Sequence, residues 1–117
     1  MKRDIAEKWI ADLRAGPLQA KRVLFDGAGH CCLGRLCVLA GLEPKYNANR
    51  DKYEFGDRES FSLPPEVREW AGMKDEDGIY HLDDEDDELS KFLARDNDSG
   101  KTFAEIADII EAHIDEL

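Results

Sequence analysis

His30-Cys31-Cys32-Leu33-Gly34-Arg35-Leu36-Cys37-Val38-Leu39-Ala40-Gly41 is the stretch that organises this chain. From Cys31 to Ala40 it is apolar almost all round, broken only by Gly34 and Arg35, and Gly41 supplies a stop. A helix apolar on every face belongs in a core. The pattern predicts a central buried helix over residues 31–40, with Gly34 admitting a close neighbour. All three cysteines of the chain lie inside it. An odd number of cysteines in one tight cluster argues against a secreted disulfide framework and for a reducing cytosol.

Upstream, Ile5, Trp9, Ile10 and Leu13 recur at helical spacing until Gly16-Pro17, which predicts an amphipathic helix. Between the two helices, Gln19 to Phe25 carries β-leaning Val23, Leu24 and Phe25 before the turn Asp26-Gly27-Ala28-Gly29, so a short strand or extended segment is expected. Downstream, Tyr53-Glu54-Phe55 and Ser60-Phe61-Ser62-Leu63 alternate around Gly56-Asp57-Arg58-Glu59, as a hairpin would. Pro64-Pro65-Glu66 suits a helix first turn, with Val67, Trp70 and Ala71 as its apolar face and Gly72 as its end.

Asp75 to Glu88 holds nine acids and no Lys or Arg, and reads as a solvated loop with one short strand near Ile79, Tyr80 and Leu82. Leu89, Phe92 and Leu93 suggest a turn and a half of helix, and Asp96-Asn97-Asp98-Ser99-Gly100 a loop. Thr102-Phe103-Ala104-Glu105 matches a capping box and opens a final helix through Phe103, Ile106, Ala107, Ile110, Ile114 and Leu117. The expected fold is α+β: one small, mostly helical domain over residues 1–117 with a short β-hairpin or sheet. Domains of this size are common.

Charge narrows the function. The net charge of −11 is uneven: residues 1–50 hold nine Lys/Arg against five Asp/Glu, residues 51–117 seven against twenty-two. Such a field repels a phosphate backbone, so direct nucleic-acid binding is not expected. No apolar run approaches the roughly 18–20 residues of a membrane span, and the N-terminus leads into an amphipathic helix, not a signal core.

Several motifs fall short of chemistry. Ser99-Gly100-Lys101-Thr102 resembles the tail of a phosphate loop, yet Arg95 stands where the motif needs glycine, and the capping box explains the residues. A calcium loop starting at Asp96 would place Lys101 at its glycine and Ala107 at its bidentate glutamate. Zinc would need a second ligand pair beyond His30, Cys31, Cys32 and Cys37, with His81 or His113 too weakly indicated to supply it. A thiol nucleophile at Cys31 or Cys32 with a histidine base is the enzyme reading; no oxyanion turn is specified beyond Gly27-Ala28-Gly29. No cofactor, metal or catalytic residue is therefore assigned, and binding is preferred to turnover.

Gln19, Lys21, Arg22, Gly29, His30, Cys31, Cys32 and Arg35 form the most basic and amide-rich stretch. Amides opening a helix could hold an anionic group. A plainer reading has these bases pairing with the acidic second half. Asp83, Asp84, Glu85, Asp86, Asp87 and Glu88 are the candidate surface for a basic partner, as a mimic of nucleic acid.

His30 to Cys37, then Leu63-Pro64-Pro65-Glu66-Val67-Arg68-Glu69-Trp70-Ala71-Gly72, then Asn97-Asp98-Ser99-Gly100-Lys101-Thr102-Phe103-Ala104-Glu105-Ile106-Ala107 follow in that order. In these blocks the chain resembles small proteins of unknown function from tailed phages and prophages. They carry Cys-Cys-Leu-Gly-x-Leu-Cys, Leu-Pro-x-x-Val-x-x-Trp and Asn-Asp-x-Gly-x-Ser/Thr-Phe. The acidic insert at Asp83–Glu88 departs from that pattern. The resemblance implies a non-enzymatic accessory protein in the cytoplasm of a bacterial host. It would act on a host protein or sequester a small anionic nucleotide signal, alone or as a homo-oligomer.

Overall fold

The computed structural model describes residues 1–80 and 91–117. The expected partner surface at Asp83–Glu88 lies outside the described residues, as do His81, Leu82 and Leu89.

Helix α1 (Arg3–Arg14) buries Ile5, Ala6, Trp9, Ile10 and Leu13, the face that the sequence spacing marks. That face packs on α5 (Phe103–Ala112) and on α2 (Cys32–Leu39). Arg14 reaches across to Asp108 at 2.8 Å and Glu111 at 3.1 Å, pairing the basic half with the acidic half. Solvent screening leaves these exposed ion pairs worth little. The apolar seam beneath them holds the helices together.

Helix α2 is the centre of the core, with Cys32, Leu33, Leu36 and Cys37 fully buried. Its N-cap is Cys31, whose sulfur accepts from the Gly34 N–H at 3.4 Å. Gly34 does admit a close neighbour: a Cβ there would lie 1.9 Å from the Leu24 carbonyl oxygen. Trp9, with no exposed surface, satisfies its indole N–H on the Cys32 carbonyl at 2.8 Å.

Between these helices, residues 19–25 form no regular strand. Gln19 and Phe25 make isolated bridges to the two sides of His30. Arg22, at φ 69°, breaks the extended run between them. The hairpin lies one strand upstream of the place expected. Strand β1 (Lys45–Asn47) pairs antiparallel with β2 (Lys52–Glu54), with Tyr46 opposite Tyr53. Phe55 and Glu59 close a further bridged turn, but the chain then leaves: the Ser60 carbonyl accepts from Leu24 N–H, and Leu63 N–H donates to Glu76.

Helix α3 (Pro65–Ala71) starts at its proline and ends on left-handed Gly72 as expected, while Trp70 is only partly buried. Strand β3 (Ile79–Tyr80) pairs with β4 (Lys91–Phe92), with Ile79 opposite Phe92. Phe92 is therefore in a strand, not a helical turn, and α4 (Leu93–Asp98) occupies part of the expected 96–100 loop. The Thr102–Glu105 capping box is formed in both directions. The fold is thus small, mostly helical α+β, with one buried cluster uniting all five described helices.

Candidate functional site

Asn97, on α4, has no exposed surface and four hydrogen bonds. Its Oδ1 accepts from Gln19 Nε2 at 3.0 Å and from the Cys32 N–H at 3.1 Å. Its Nδ2 donates to the Ala20 carbonyl at 2.8 Å and lies 3.4 Å from Asp98 Oδ1. One side chain thereby joins the 19–22 segment, the start of α2 and the end of α4. Buried amides are stable only when so satisfied.

This bonding answers for most of the residues expected to cradle an anion. Gly29 N–H donates to Asp26 Oδ1, His30 N–H to Leu18, Cys31 N–H to Leu24, and Cys32 N–H to Asn97. The four amides are engaged inside the protein, and Gln19 holds Asn97 and the Lys101 carbonyl. Arg35 forms a bidentate pair with Asp12 at 2.7 and 2.8 Å, tying α2 to α1. Lys21 is exposed beside Gly100. The stretch is structural at its centre, so an anion cradle on the Gly29–Cys32 amides is not formed.

Arg22 and Cys31 are brought together elsewhere. They line an open cleft of about 600 Å³ with Phe61, Ser62, Asp77, Phe92, Arg95 and Asp98. That volume lies within the roughly 300–1,000 Å³ of small-molecule sites. The 19–25 segment, the chain before α3, the turn before β3 and the β4–α4 junction each contribute lining residues. Arg22 is held in its left-handed conformation by its N–H donating to Asp98 Oδ1 at 2.7 Å. Non-glycine residues in that region carry strain, which concentrates at functional positions. Arg95 lies 5.5 Å from the Phe92 ring centroid, and Phe61 is 53% exposed with Lys52 Nζ 4.6 Å from its ring. Among the described residues, no carboxylate pairs with the guanidinium of Arg22 or Arg95.

Cys31 is at the floor of the cleft, but as a thiol. Burial pushes it up to about 11, against the opposing pull of the Gly34 N–H. Burial raises Cys32 and Cys37 as well. His30 turns its ring onto Phe25, with centroids 4.5 Å apart, and burial followed by Arg35 lowers its pKa. His113 packs on Tyr80 at 4.9 Å and contacts Glu116 at 2.7 Å. Neither ring is placed against the Cys31 sulfur as a general base. Among the described residues no group of three or more His, Cys, Asp or Glu is arranged for a metal ion.

Sequence reasoning missed Ser62, Asp77, Phe92, Arg95, Asp98 and Asn97 as site or support residues. Asn97 and Asp98 carried a signal, since both stand in the third resemblance block. Arg95 and Lys91 are the bases of an otherwise acidic stretch, a cue visible only once the cleft is seen. No described helix is long and apolar enough to cross a membrane.

Residues 1–114 match the family described as Domain of unknown function (DUF8296), and the chain belongs to it. Among curated proteins and solved structures, none matches.

Proposed function

We propose that this member of the DUF8296 family is a non-catalytic binding protein that takes up a small anionic nucleotide in the cleft between Arg22 and Arg95. The observation that carries the reading is the joint lining of one cavity by two phenylalanine rings and two arginines whose guanidinium groups pair with no carboxylate among the described residues. A guanidinium offers a phosphate several donors in a fixed fork. Stacking a base on an aromatic ring contributes about 1–3 kcal/mol. The protein's overall charge of −11 opposes a polyanion, and this favours a compact ligand over a nucleic-acid strand.

The resemblance to small tailed-phage and prophage proteins supports a setting in the bacterial cytoplasm, where such binding would sequester a host signal. The rival reading, an acidic mimic of nucleic acid docking on a host protein, rests on Asp83–Glu88, which lie outside the described residues. Calorimetry of the purified protein against mononucleotides, cyclic dinucleotides and ADP-ribose tests the proposal. Binding of one of these, weakened tenfold or more by Arg95→Ala, is the expected result. No heat with any of them sinks it.

A further inference from the structure

Two carboxylates that a phosphate site does not need line the cleft: Asp98, whose Oδ1 accepts from the Arg22 N–H and the Asn97 amide, and Asp77. Asp77 is half-buried in it, and among the described residues it has no cationic partner. Its carboxylate is nevertheless fixed: Ser62 Oγ donates to Oδ1 at 2.7 Å. Its backbone is fixed as well. Asp77 N–H donates to Asp75 Oδ2 at 2.9 Å, and its carbonyl accepts from Ala94 N–H at 3.2 Å. The result is an oriented acceptor in a cleft that Phe61 and Phe92 also line, and among the described residues no hydrogen bond reaches its Oδ2.

An ionised carboxylate only accepts hydrogen bonds. A base stacked on Phe61 or Phe92 must therefore turn a donor-bearing edge toward Asp77. Guanine offers two adjacent donors there, N1–H and the 2-amino group. Adenine offers one donor beside N1, whose lone pair faces the carboxylate unfavourably. Cytosine has the same defect, and uracil presents a single N–H between two carbonyls.

We propose that the cleft selects a guanine nucleotide and that Asp77, braced by Ser62, is the specificity-determining residue. This deepens the nucleotide reading above and rests on it. Both signs of charge in the cleft then have a use: the arginines take the phosphate and the aspartate takes the base edge. Asp98 serves the fold instead, its Oδ1 holding the left-handed Arg22 through the backbone N–H.

The test is calorimetry of the unaltered protein with GMP, IMP and AMP, repeated on Asp77→Asn. GMP is expected to bind best. IMP keeps N1–H but lacks the 2-amino group, and should bind roughly ten- to a hundredfold more weakly, the worth of one hydrogen bond to a charged group. AMP should be weaker still. Asp77→Asn should weaken GMP about tenfold and collapse the GMP-to-AMP ratio, because an amide offers both a donor and an acceptor. Equal binding of GMP and AMP, or a ratio unchanged in Asp77→Asn, overturns the inference and leaves the nucleotide reading standing. Binding of no nucleotide at all overturns both. The three-ligand comparison needs no variant, so it decides the guanine preference even if Asp77→Asn does not fold, and Ser62→Ala, which removes the brace on Asp77, should then lower the GMP-to-AMP ratio; an unchanged ratio overturns the role of Asp77.

Discussion

The side-chain oxygen of Asn97 receives the N–H of Cys32 at 3.1 Å, across 65 positions of chain. Cys32 is the first residue of α2, where the dipole and the unpaired amides would otherwise draw an anion. A neutral amide from the same chain fills that place.

Asn97→Ala should therefore be costly. It strands the buried Cys32 N–H and Ala20 carbonyl, each at a cost of about 1–3 kcal/mol, and leaves Gln19 only the Lys101 carbonyl. Urea unfolding should show a loss on the order of 3 kcal/mol, allowing for partial relaxation. A loss under about 1 kcal/mol would contradict the role given to Asn97.

Arg22→Gly should separate stability from binding. Relief of the left-handed backbone returns about 1–2 kcal/mol, and glycine's greater unfolded freedom removes about 0.5–1 of it. Thermal unfolding should be unchanged or slightly raised while nucleotide binding falls tenfold or more. A clear loss of stability would show that the Arg22 side chain holds the fold.

Gly34→Ala brings a methyl against the Leu24 carbonyl at 1.9 Å, closer than any relaxed contact. The 19–25 segment must move away from α2, at a cost of about 1–3 kcal/mol for overpacking. The same displacement shifts Arg22 and Val23 at the cleft wall, so binding and stability should fall together. Binding retained at full strength would disconnect that segment from the site.

His30 gives the pH dependence a sign. Its pKa in the fold is lowered from 6.5, chiefly by burial and then by Arg35. On acidification the unfolded chain takes up the proton first, so the contribution of this ring is full above 6.5. It is lost as pH falls through the lower folded value. Urea midpoints should drop between pH 7 and 5.5, and His30→Phe, which keeps an aromatic ring against Phe25, should flatten that drop. An identical slope in the variant would assign the effect to other groups.

The thiols should be silent in the native protein. Cys32 and Cys37 are fully buried, and Cys31 is held up to about 11. At pH 8, Ellman's reagent should find less than one reactive thiol promptly and three after denaturation. Prompt labelling of all three would contradict their packing.

Much of the helical frame was legible because its signals are local. The spacing of Ile5, Trp9, Ile10 and Leu13 marks the buried face of α1, and Thr102 and Glu105 announce α5 within four residues. Gly34 reads as a close approach because nothing else excuses a glycine in so apolar a helix. The misplaced hairpin has a non-local cause: Leu24 takes the Ser60 carbonyl that local alternation assigned to a strand ladder. The last turn of α4, residues 96–98, reads as a loop in the sequence because Asp and Asn are poor helix formers. Tertiary bonds override that preference, through Asn97 and through Tyr80 O–H donating to Asp96. The cleft itself is assembled from five separate segments, so no window of sequence contains it.

The closure of α2 by Asn97 also sets an order of events during synthesis. A ribosome delivers the buried helix and the 19–25 segment long before residue 97 leaves the exit tunnel. Until then the Cys32 amide and the Gln19 side chain have no permanent partner, and α1 lacks the face of α5. The core around α2 is therefore completed by contacts from a distant stretch of chain, and pairings of such long sequence separation form more slowly than local ones.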